Sequence, residues 1–289
     1  MRFYPEPVAG TDSDYSTAVV LVNLGTPDAP TASALRSYLR QFLSDPRVVE
    51  IPRWLWWLLL RLVILPFRPA KSAAKYAVIW SNEGSPLKFH SIKQAALLRG
   101  YLGQRGHQVN VVYAMRYANP SVPDVLAQLQ ADGYQRILIL PAYPQYSSAT
   151  TGSTFDAVFT HYARVRNVPE LRFVRHYPQQ SGYIEALRQV IWNHWQQHGQ
   201  AGVLVLSFHG MPQRTRELGD PYYDECLSTA RALVARLGLS EDQFRVTFQS
   251  RFGRAAWLQP YTSGTVQALA KQGVRRVDVI CPGFVADCL

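Results

Sequence analysis

Cysteine is scarce in this 289-residue sequence, and Cys226, Cys281 and Cys288 show none of the close spacings of a structural metal site. Their odd number also argues against a disulfide framework, which needs pairs. The first sixteen residues contain no apolar stretch of the kind that a secretory signal requires. We therefore expect a chain that stays in a reducing compartment, the cytoplasm.

The sequence also lacks the short motifs of the commonest nucleotide and hydrolase sites. It has no glycine-rich dinucleotide loop, no Walker loop, no G-x-S-x-G turn and no H-E-x-x-H motif. Lys and Arg exceed Asp and Glu by ten, but they are scattered and form no basic run. The charge therefore favours an anionic surface or a small acidic ligand, and nucleic acid is not expected as a partner.

Apolar runs long enough to cross a bilayer are missing as well. Residues 54–65 are rich in Trp and Leu, but Arg61 interrupts this run, and Pro52 and Pro66 flank it. A spanning helix needs about 20 apolar residues. We call residues 54–65 the apolar lip and expect it to cover a flat apolar ligand or to rest on a membrane surface.

Short β-branched runs alternate with helical patterns along most of the chain. The predicted strands are 18–24, 109–115, 136–140, 171–175, 203–208, 245–248 and 276–280. The predicted helices between them include 91–104, 121–131, 182–197, 221–237 and 261–272. Apolar strands that alternate with helices are typical of a doubly wound α/β fold with parallel sheets.

Three motifs recur in the same order in the two halves of the chain. The pairs are 24–27 with 209–212, 113–117 with 248–252, and 133–141 with 273–282. The repeat predicts two Rossmann-like domains, residues 1–168 and 169–289, the first of which carries an insertion at about 44–90. Each motif follows a predicted strand, where open α/β sheets bind their ligands, so we expect both domains to face one cleft.

His209 is the main candidate for chemistry, because it ends an apolar strand and the equivalent position of the other half is Leu24. An imidazole accepts protons near neutral pH. The structural alternative is a strand-end histidine that only bonds to the next loop. The segment 143–152 is rich in hydroxyl groups and ends at a glycine, which suits a helix cap or a site for a carboxylate.

Cationic side chains mark the expected rims of the cleft. Arg116 and Arg251 follow matching strands, where the alternative to ligand binding is a salt bridge. Arg68 and Lys71 lie one helical turn apart just after the apolar lip, which suits a ligand with an apolar face and carboxylate edges. The alternative for this pair is that both side chains snorkel to solvent. The residues alone thus predict a two-domain α/β protein that binds an amphipathic acid.

Several motifs together resemble those of the ferrochelatase family. They are Asn23-Leu-Gly-Thr-Pro, Gly84-Ser-Pro-Leu, Tyr143-Pro-Gln-Tyr-Ser, Leu206-Ser-Phe-His-Gly-Met-Pro, Gly219-Asp-Pro-Tyr, Phe248-Gln-Ser-Arg, Trp257-Leu and Pro282-Gly-Phe-Val-Ala-Asp. The resemblance implies an enzyme that inserts ferrous iron into protoporphyrin by bending the macrocycle and removing its pyrrole protons. Two alternatives stay open: a cobalt chelatase of corrinoid synthesis and a non-catalytic module that binds tetrapyrrole or metal.

The resemblance also assigns roles to individual residues. His209 falls on the catalytic base, and His209 and Tyr143 fall on positions that contact the iron, with Tyr143 on the first domain opposite His209 on the second. The positions implied to bind the porphyrin are Leu24, Arg68, Lys71, Tyr76, Arg116, Tyr143, Trp257 and Phe284. Leu24 replaces the tyrosine of the coproporphyrin-using type, which favours protoporphyrin. The lip resembles one that touches the membrane, here as a peripheral contact on its inner, anionic face.

Two further expectations concern cofactors and the end of the chain. Some relatives hold an iron–sulfur cluster through a cysteine where this sequence has Ser148, so no cluster is expected and iron is only a substrate. The family motif continues after Asp287 to a catalytic glutamate that would be residue 290. We therefore expect a C-terminally truncated chain with an incomplete second domain, and whether it is active by itself stays open.

Overall fold

The computed structural model describes residues 3–6 and 16–286, and these form two compact α/β units. The first unit comprises the residues up to Ala142 together with Ser148–Arg175. The second comprises Tyr143–Ser147 and His176–Val285. Asp287, Cys288 and Leu289, on which the expectations for the C-terminal motif depend, lie outside the described residues.

The first unit is built on a parallel sheet in the order β2-β1-β3-β4. Its strands are β1 (Thr17–Asn23), β2 (Asn110–Met115), β3 (Arg136–Pro141) and β4 (Glu170–Phe173). Its helices are α1 (Ala32–Ser44), α2 (Arg53–Leu59), α3 (Leu65–Ile79), α4 (Pro86–Gln104), α5 (Val122–Ala131) and α6 (Ser153–Tyr162). β1 is buried along almost its whole length, as expected for a central strand that helices cover on both faces.

The apolar lip lies in a continuous helical segment that comprises α2, a π-helical turn at Leu60–Ile64 and α3. Pro66 was expected to end the apolar run, but the helix continues through Pro66 and Pro69. Pro69 has no N–H to donate to the carbonyl four residues earlier. The Arg36 guanidinium donates to that Leu65 carbonyl instead, at 3.2 Å, so the missing bond is replaced from α1.

The second unit contains a smaller parallel sheet in the order β6-β5-β7. Its strands are β5 (Val203–His209), β6 (Phe244–Gln249) and β7 (Val277–Ile280). Its helices are α7 (Ser181–His198), α8 (Gln213–Glu217), α9 (Tyr222–Leu237) and α10 (Thr262–Lys271). The predicted α/β class with parallel sheets is confirmed, and each predicted strand overlaps an observed one.

The internal repeat is visible in the topology of the two sheets. In each unit the first strand is central, the next strand pairs on one side of it and the third on the other. Asn23 pairs with Met115, and Phe208 pairs with Phe248. The next residues along β1 and β5 are Leu24 and His209, which therefore occupy equivalent positions, as the sequence predicted.

Glycines follow both of these equivalent positions because the chain passes close to neighbouring backbone there. A Cβ on Gly25 would lie 1.8 Å from the Tyr117 carbonyl oxygen, and Gly25 also has a φ of +108°. A Cβ on Gly210 would lie 2.6 Å from the carbonyl oxygen of Gln249. Neither site accepts a side chain without movement of the backbone, so both glycines serve close packing at the strand ends.

The match between Arg116 and Arg251 is offset by two residues in the structure. The N–H of Met115 donates to Pro120 O at 2.7 Å, and the N–H of Phe248 donates to Pro260 O at 2.8 Å, so Met115 and Phe248 are equivalent. Arg116 therefore corresponds to Gln249. Arg251 lies two residues further along, beyond the end of β6.

The division between the units differs from the predicted boundary after residue 168. Strand β4 lies beyond that boundary but pairs with β3 of the first sheet, for example Arg136 with Glu170. The loop Tyr143–Ser147 follows β3 but packs in the second unit. Both departures arise from contacts between residues far apart in the sequence, which no local pattern reveals.

Candidate functional site

His209 is the last residue of β5, and it is exposed at the carboxyl end of the strand although the six residues before it are buried. Protein atoms around the imidazole nevertheless remove much of its hydration, and this desolvation lowers the pKa of His209 below the ordinary value. The ring is therefore neutral at pH 7 and has a nitrogen that can accept a proton.

Phe284 and Tyr222 contact His209 from two directions. The Phe284 ring meets the imidazole edge to face, with ring centroids 6.0 Å apart and an interplanar angle of 82°. A backbone hydrogen bond joins His209 to the hydroxyl of Tyr222, which is buried. The structure thus brings together two residues that the resemblance assigns to the site, His209 and Phe284.

Trp257 packs beside the same strand end. An added Cβ on Gly210 would come within 3.2 Å of its indole ring. Residues 257 and 258 are held against the chain that follows His209, because Trp257 bridges to Pro212 and the N–H of Leu258 donates to Met211 O at 2.8 Å. Trp257 therefore packs against Gly210, the residue that follows His209, and a larger residue at position 210 would meet its indole ring.

Tyr143 lies in the same unit as His209, and the prediction that it belongs to the first domain is not met. Its loop is held by α9 and the turn before that helix. Tyr146 N–H donates to the Glu225 carboxylate at 2.7 Å, Gln145 Nε2 to Thr229 Oγ1 at 2.8 Å and Ser147 Oγ to the Asp220 carboxylate at 3.1 Å. None of these partners was singled out from the sequence, although Asp220 belongs to the Gly219-Asp-Pro-Tyr motif.

Arg116 lies in the first unit and is held by a polar network around Asp45. Its guanidinium donates to the Asp45 carboxylate at 2.6 Å and to Ser153 Oγ at 2.7 Å. The hydroxyl groups of Tyr117 and Ser153 also donate to Asp45, at 2.9 and 2.6 Å. The salt bridge offered as the structural alternative for Arg116 is therefore present, and no pattern in the sequence pointed to Asp45 as its partner.

The electrostatics of this network follow from its hydrogen bonds. Burial alone raises the pKa of Asp45, but donors from Ser153, the Arg47 backbone and Tyr117, together with the Arg116 charge, lower it overall. The pKa of Tyr117 moves the other way, chiefly because the phenol is buried. The carboxylate is thus charged and the phenol protonated across the neutral range.

Leu24 and Tyr76 line the same small pocket of the first unit, a cavity of about 40 Å³. The residues around it are Leu24, Gly25, Thr26, Tyr38, Tyr76, Ile79, Ser85, Pro86 and Leu87. Arg68 and Lys71 lie on α3, the helix that also carries Tyr76, with Lys71 exposed and Arg68 partly buried. The spacing that predicted one helical turn between these two cations is therefore realised.

The apolar lip presents most of its large side chains to solvent. Trp54 is 71% exposed, Trp57 52%, Leu62 67% and, just beyond the lip, Phe67 69%. Trp56, Leu60 and Leu65 are buried instead, and the indole N–H of Trp56, which is 8% exposed, donates to Leu43 O at 2.6 Å. Within the described ranges, none of the helices is both long enough and apolar enough to cross a membrane.

The part of the chain that the structure describes contains no group of three or more His, Cys, Asp or Glu side chains arranged to hold a metal ion. The residues that the resemblance assigns to iron, His209 and Tyr143, lie in one unit, and the cationic residues Arg68, Lys71 and Arg116 lie in the other.

Comparison with known proteins identifies relatives along the whole chain. The sequence model of the Ferrochelatase family matches residues 16–289. Proteins called ferrochelatase from Herminiimonas arsenicoxydans and Janthinobacterium sp. (strain Marseille) are each 65% identical over all 289 residues, which cover 78% of the length of either relative. A ferrochelatase from Nitrosomonas europaea is 51% identical over the same residues, which cover 79% of its length.

Proposed function

The chain belongs to the ferrochelatase family, and we propose that His209 is the base of its reaction. Ferrochelatase relatives along the whole chain identify an enzyme of haem biosynthesis, a lyase that inserts ferrous iron into protoporphyrin. They do not favour the cobalt chelatase or the non-catalytic module.

The observation that carries the role of His209 is its position in the repeat. Two equivalent strand ends carry Leu24 in one unit and an exposed imidazole with a lowered pKa in the other. A free porphyrin has two inner N–H protons that obstruct the metal. A bent macrocycle exposes its nitrogen lone pairs, and a neutral imidazole beside it accepts the two protons one at a time and releases the first to solvent before it takes the second.

Replacement of His209 tests this role. We expect His209→Ala to bind protoporphyrin nearly as well as the unaltered enzyme but to turn over at least about a hundredfold more slowly, because a base contributes to rate more than to ground-state affinity. Fluorescence titration gives the affinity and steady-state assays give kcat. His198→Ala, an exposed histidine of the same unit, is the control. Weaker binding with unchanged kcat would show that His209 is only a binding group.

We further propose that Arg68 and Lys71 bind the porphyrin propionates, and that Leu24, Tyr76, Trp257 and Phe284 contact the macrocycle. Arg68 and Lys71 lie on one helix face with Tyr76 one to two turns further along α3, so charged and aromatic contacts are available from a single element. Trp257 and Phe284 both lie at the end of β5 in the second unit, Phe284 against His209 and Trp257 against Gly210. These placements support an amphipathic ligand with carboxylate edges.

Tyr143 and His209 are the proposed contacts for iron, and Arg116 of the first unit is a proposed contact of the porphyrin. Hydrogen bonds to Glu225 and Thr229 hold the loop that carries Tyr143, which supports a fixed position for its phenol. The hydroxyl of Ser148, which stands where some relatives have a cluster cysteine, accepts from Arg47 at 3.0 Å. Iron therefore enters our proposal only as the substrate, and no iron–sulfur cluster is part of it.

The apolar lip is proposed to rest on an anionic membrane surface. Trp54, Trp57 and Leu62 are exposed together on one helical segment, and exposed apolar side chains of this size are costly in water. Arg53 precedes them and Arg61 lies among them, with its guanidinium 4.9 Å from the centre of the Trp57 ring. Tryptophan with arginine beside it suits the interface between lipid headgroups and acyl chains.

Vesicle sedimentation tests the membrane contact. The unaltered protein is expected to sediment with vesicles of phosphatidylglycerol and phosphatidylcholine at low salt and to be released at high salt, whereas Trp54→Glu/Trp57→Glu stays in the supernatant. Trp56 is unsuitable for this variant because it is buried. Val190→Glu/Trp192→Glu alters exposed apolar residues of the second unit and is the matched control. If the lip variant sediments like the control, the lip is not the contact.

A further inference from the structure

Tyr183 is a partly buried tyrosine on α7 whose hydroxyl bonds to a residue 99 positions later. It donates to the Pro282 carbonyl at 2.5 Å and accepts from Gln145 Nε2 at 3.3 Å. Burial raises the pKa of Tyr183 well above the ordinary value. The hydroxyl is therefore protonated and available as a donor throughout the pH range in which the protein works.

Pro282 lies in the tight turn that follows β7. The turn closes when the N–H of Phe284 donates to Cys281 O at 3.1 Å. Gly283, between them, lies near Gln145 and Phe208, because an added Cβ would be in van der Waals contact with both, at 3.4 Å from Gln145 Oε1 and 3.6 Å from Phe208. The turn is thus held by Tyr183 through the Pro282 carbonyl, and its glycine lies beside the end of β5.

Phe284 is the residue that this turn presents to the candidate base. Its ring meets the His209 imidazole edge to face at 6.0 Å, and it is two residues from the carbonyl that Tyr183 holds. Aromatic pairs of this geometry fix the orientation of both rings. A displacement of the turn therefore moves Phe284 and changes the surroundings of His209.

We propose that Tyr183 is a positioning residue for the reaction, which sets the orientation of His209 by holding the Pro282–Phe284 turn. The proposal rests on the function proposed for His209, and it adds a residue that does not itself touch the reacting atoms. A catalytic base contributes fully only when it is held close to its productive geometry by groups around it. Tyr183 supplies one such group from a helix on which no other site residue has been placed.

The variant Tyr183→Phe removes one oxygen atom and keeps the aromatic packing. We expect kcat to fall on the order of tenfold while KM for protoporphyrin changes less than about threefold, because a misoriented base affects the chemical step more than binding. Tyr162→Phe is the matched control. Its hydroxyl is also buried but has no hydrogen-bond partner among the described residues, and it lies in the first unit.

Nuclear magnetic resonance of the imidazole gives a readout that a general loss of stability would not produce. The His209 ring signals are assigned by their absence in His209→Ala and recorded at one alkaline pH, where the ring is neutral. Phe284→Leu gives the shift that results when the aromatic neighbour is lost. We expect Tyr183→Phe to move the His209 signals toward those of Phe284→Leu, and Tyr162→Phe to leave them in place.

Two results would overturn the proposal: unchanged His209 signals in Tyr183→Phe, with or without a fall in kcat, or an unchanged kcat despite shifted signals. Failure of the function proposed for His209 is seen separately, as normal turnover of His209→Ala. If Tyr183→Phe does not fold, Gln145→Leu, which leaves the phenol in place but removes the amide bonded to it, is expected to show a smaller shift in the same direction. Unchanged His209 signals in that variant would also contradict the proposal.

Discussion

Asp45 is the residue around which the polar contacts of the first unit are arranged. Its side chain is only 4% exposed and accepts hydrogen bonds from Arg116, Tyr117 and Ser153. A buried carboxylate without such donors would lose far more hydration energy than it gains. Asp45 therefore keeps Arg116 in place whatever ligand that cation meets.

Removal of the Asp45 charge is expected to destabilise the protein. Asp45→Asn leaves the Arg116 guanidinium without its anion, and we expect the free energy of unfolding to fall by about 2–4 kcal/mol at pH 7. Urea denaturation measures the change. Asp132→Asn is the control, because Asp132 is exposed and its carboxylate accepts from the exposed amide of Gln128. Equal losses in the two variants would contradict a special role for Asp45.

The same variant has a pH signature. The folded state lowers the pKa of Asp45. The stability that the ionised carboxylate contributes is therefore complete above the pKa of the unfolded state, about 3.9. It is lost as the pH falls through the lower pKa of the folded state. The stability difference between the unaltered protein and Asp45→Asn is therefore expected to be constant near neutral pH and to shrink in strong acid. A difference that grows on acidification would contradict this assignment.

At the scale of elements, the helix that carries the apolar lip continues into α3 because the contacts of α3 accommodate a proline. Pro69 leaves the Leu65 carbonyl without its helical donor, and Arg36 of α1 supplies one. The lip thus depends on a contact between two helices as well as on its own sequence. Trp56 adds a second anchor through its bond to Leu43 at the end of α1.

Loss of the Arg36 donor is expected to loosen the lip helix. Arg36→Met removes one hydrogen bond to a partly exposed carbonyl, which we expect to cost about 1 kcal/mol. Amide hydrogen exchange across residues 65–79 should become faster in this variant, and vesicle binding should weaken because the lip is less ordered. Arg40→Met, an exposed arginine of the same helix, is the control and should leave the exchange unchanged. Equal exchange in the two variants would show that Pro69 needs no donor from α1.

At the scale of the whole molecule, the excess of ten positive charges bears on how an acidic substrate arrives. A protein of this charge attracts a dicarboxylic porphyrin through its electrostatic field. Salt screens this attraction, and the screening length falls from about 30 Å at 0.01 M ionic strength to about 10 Å at 0.1 M. Binding of the substrate is therefore expected to depend on ionic strength even though the chemical step does not.

Steady-state kinetics over that salt range check the expectation. We expect KM for protoporphyrin to rise several-fold with salt while kcat stays constant. Arg68→Gln/Lys71→Gln should show a higher KM at low salt and a weaker salt dependence. Arg99→Gln/Arg105→Gln removes the same charge from exposed positions on and just after α4 and should behave like the unaltered enzyme. If both double variants change KM alike, net charge alone determines the effect.

Local patterns in the sequence were enough to predict much of the fold and part of the candidate site of this protein. The seven strands, the alternation with helices and the equivalence of Leu24 and His209 follow from periodicity and from motifs at strand ends, because backbone geometry repeats over a few residues. The family was also recognisable from motifs of two to seven residues. The spacing that places Arg68 and Lys71 one helical turn apart was also predicted from a local pattern.

Only the tertiary structure decided which residues hold the candidate site together. Asp45 meets Arg116 across 71 residues of sequence, and Tyr183 meets Pro282 across 99. It also decided that β4 joins the first sheet, that the Tyr143 loop packs with the second unit and that Trp56 is buried between exposed neighbours. Each of these depends on side chains brought together by packing, and a single such contact leaves no periodic trace in the sequence.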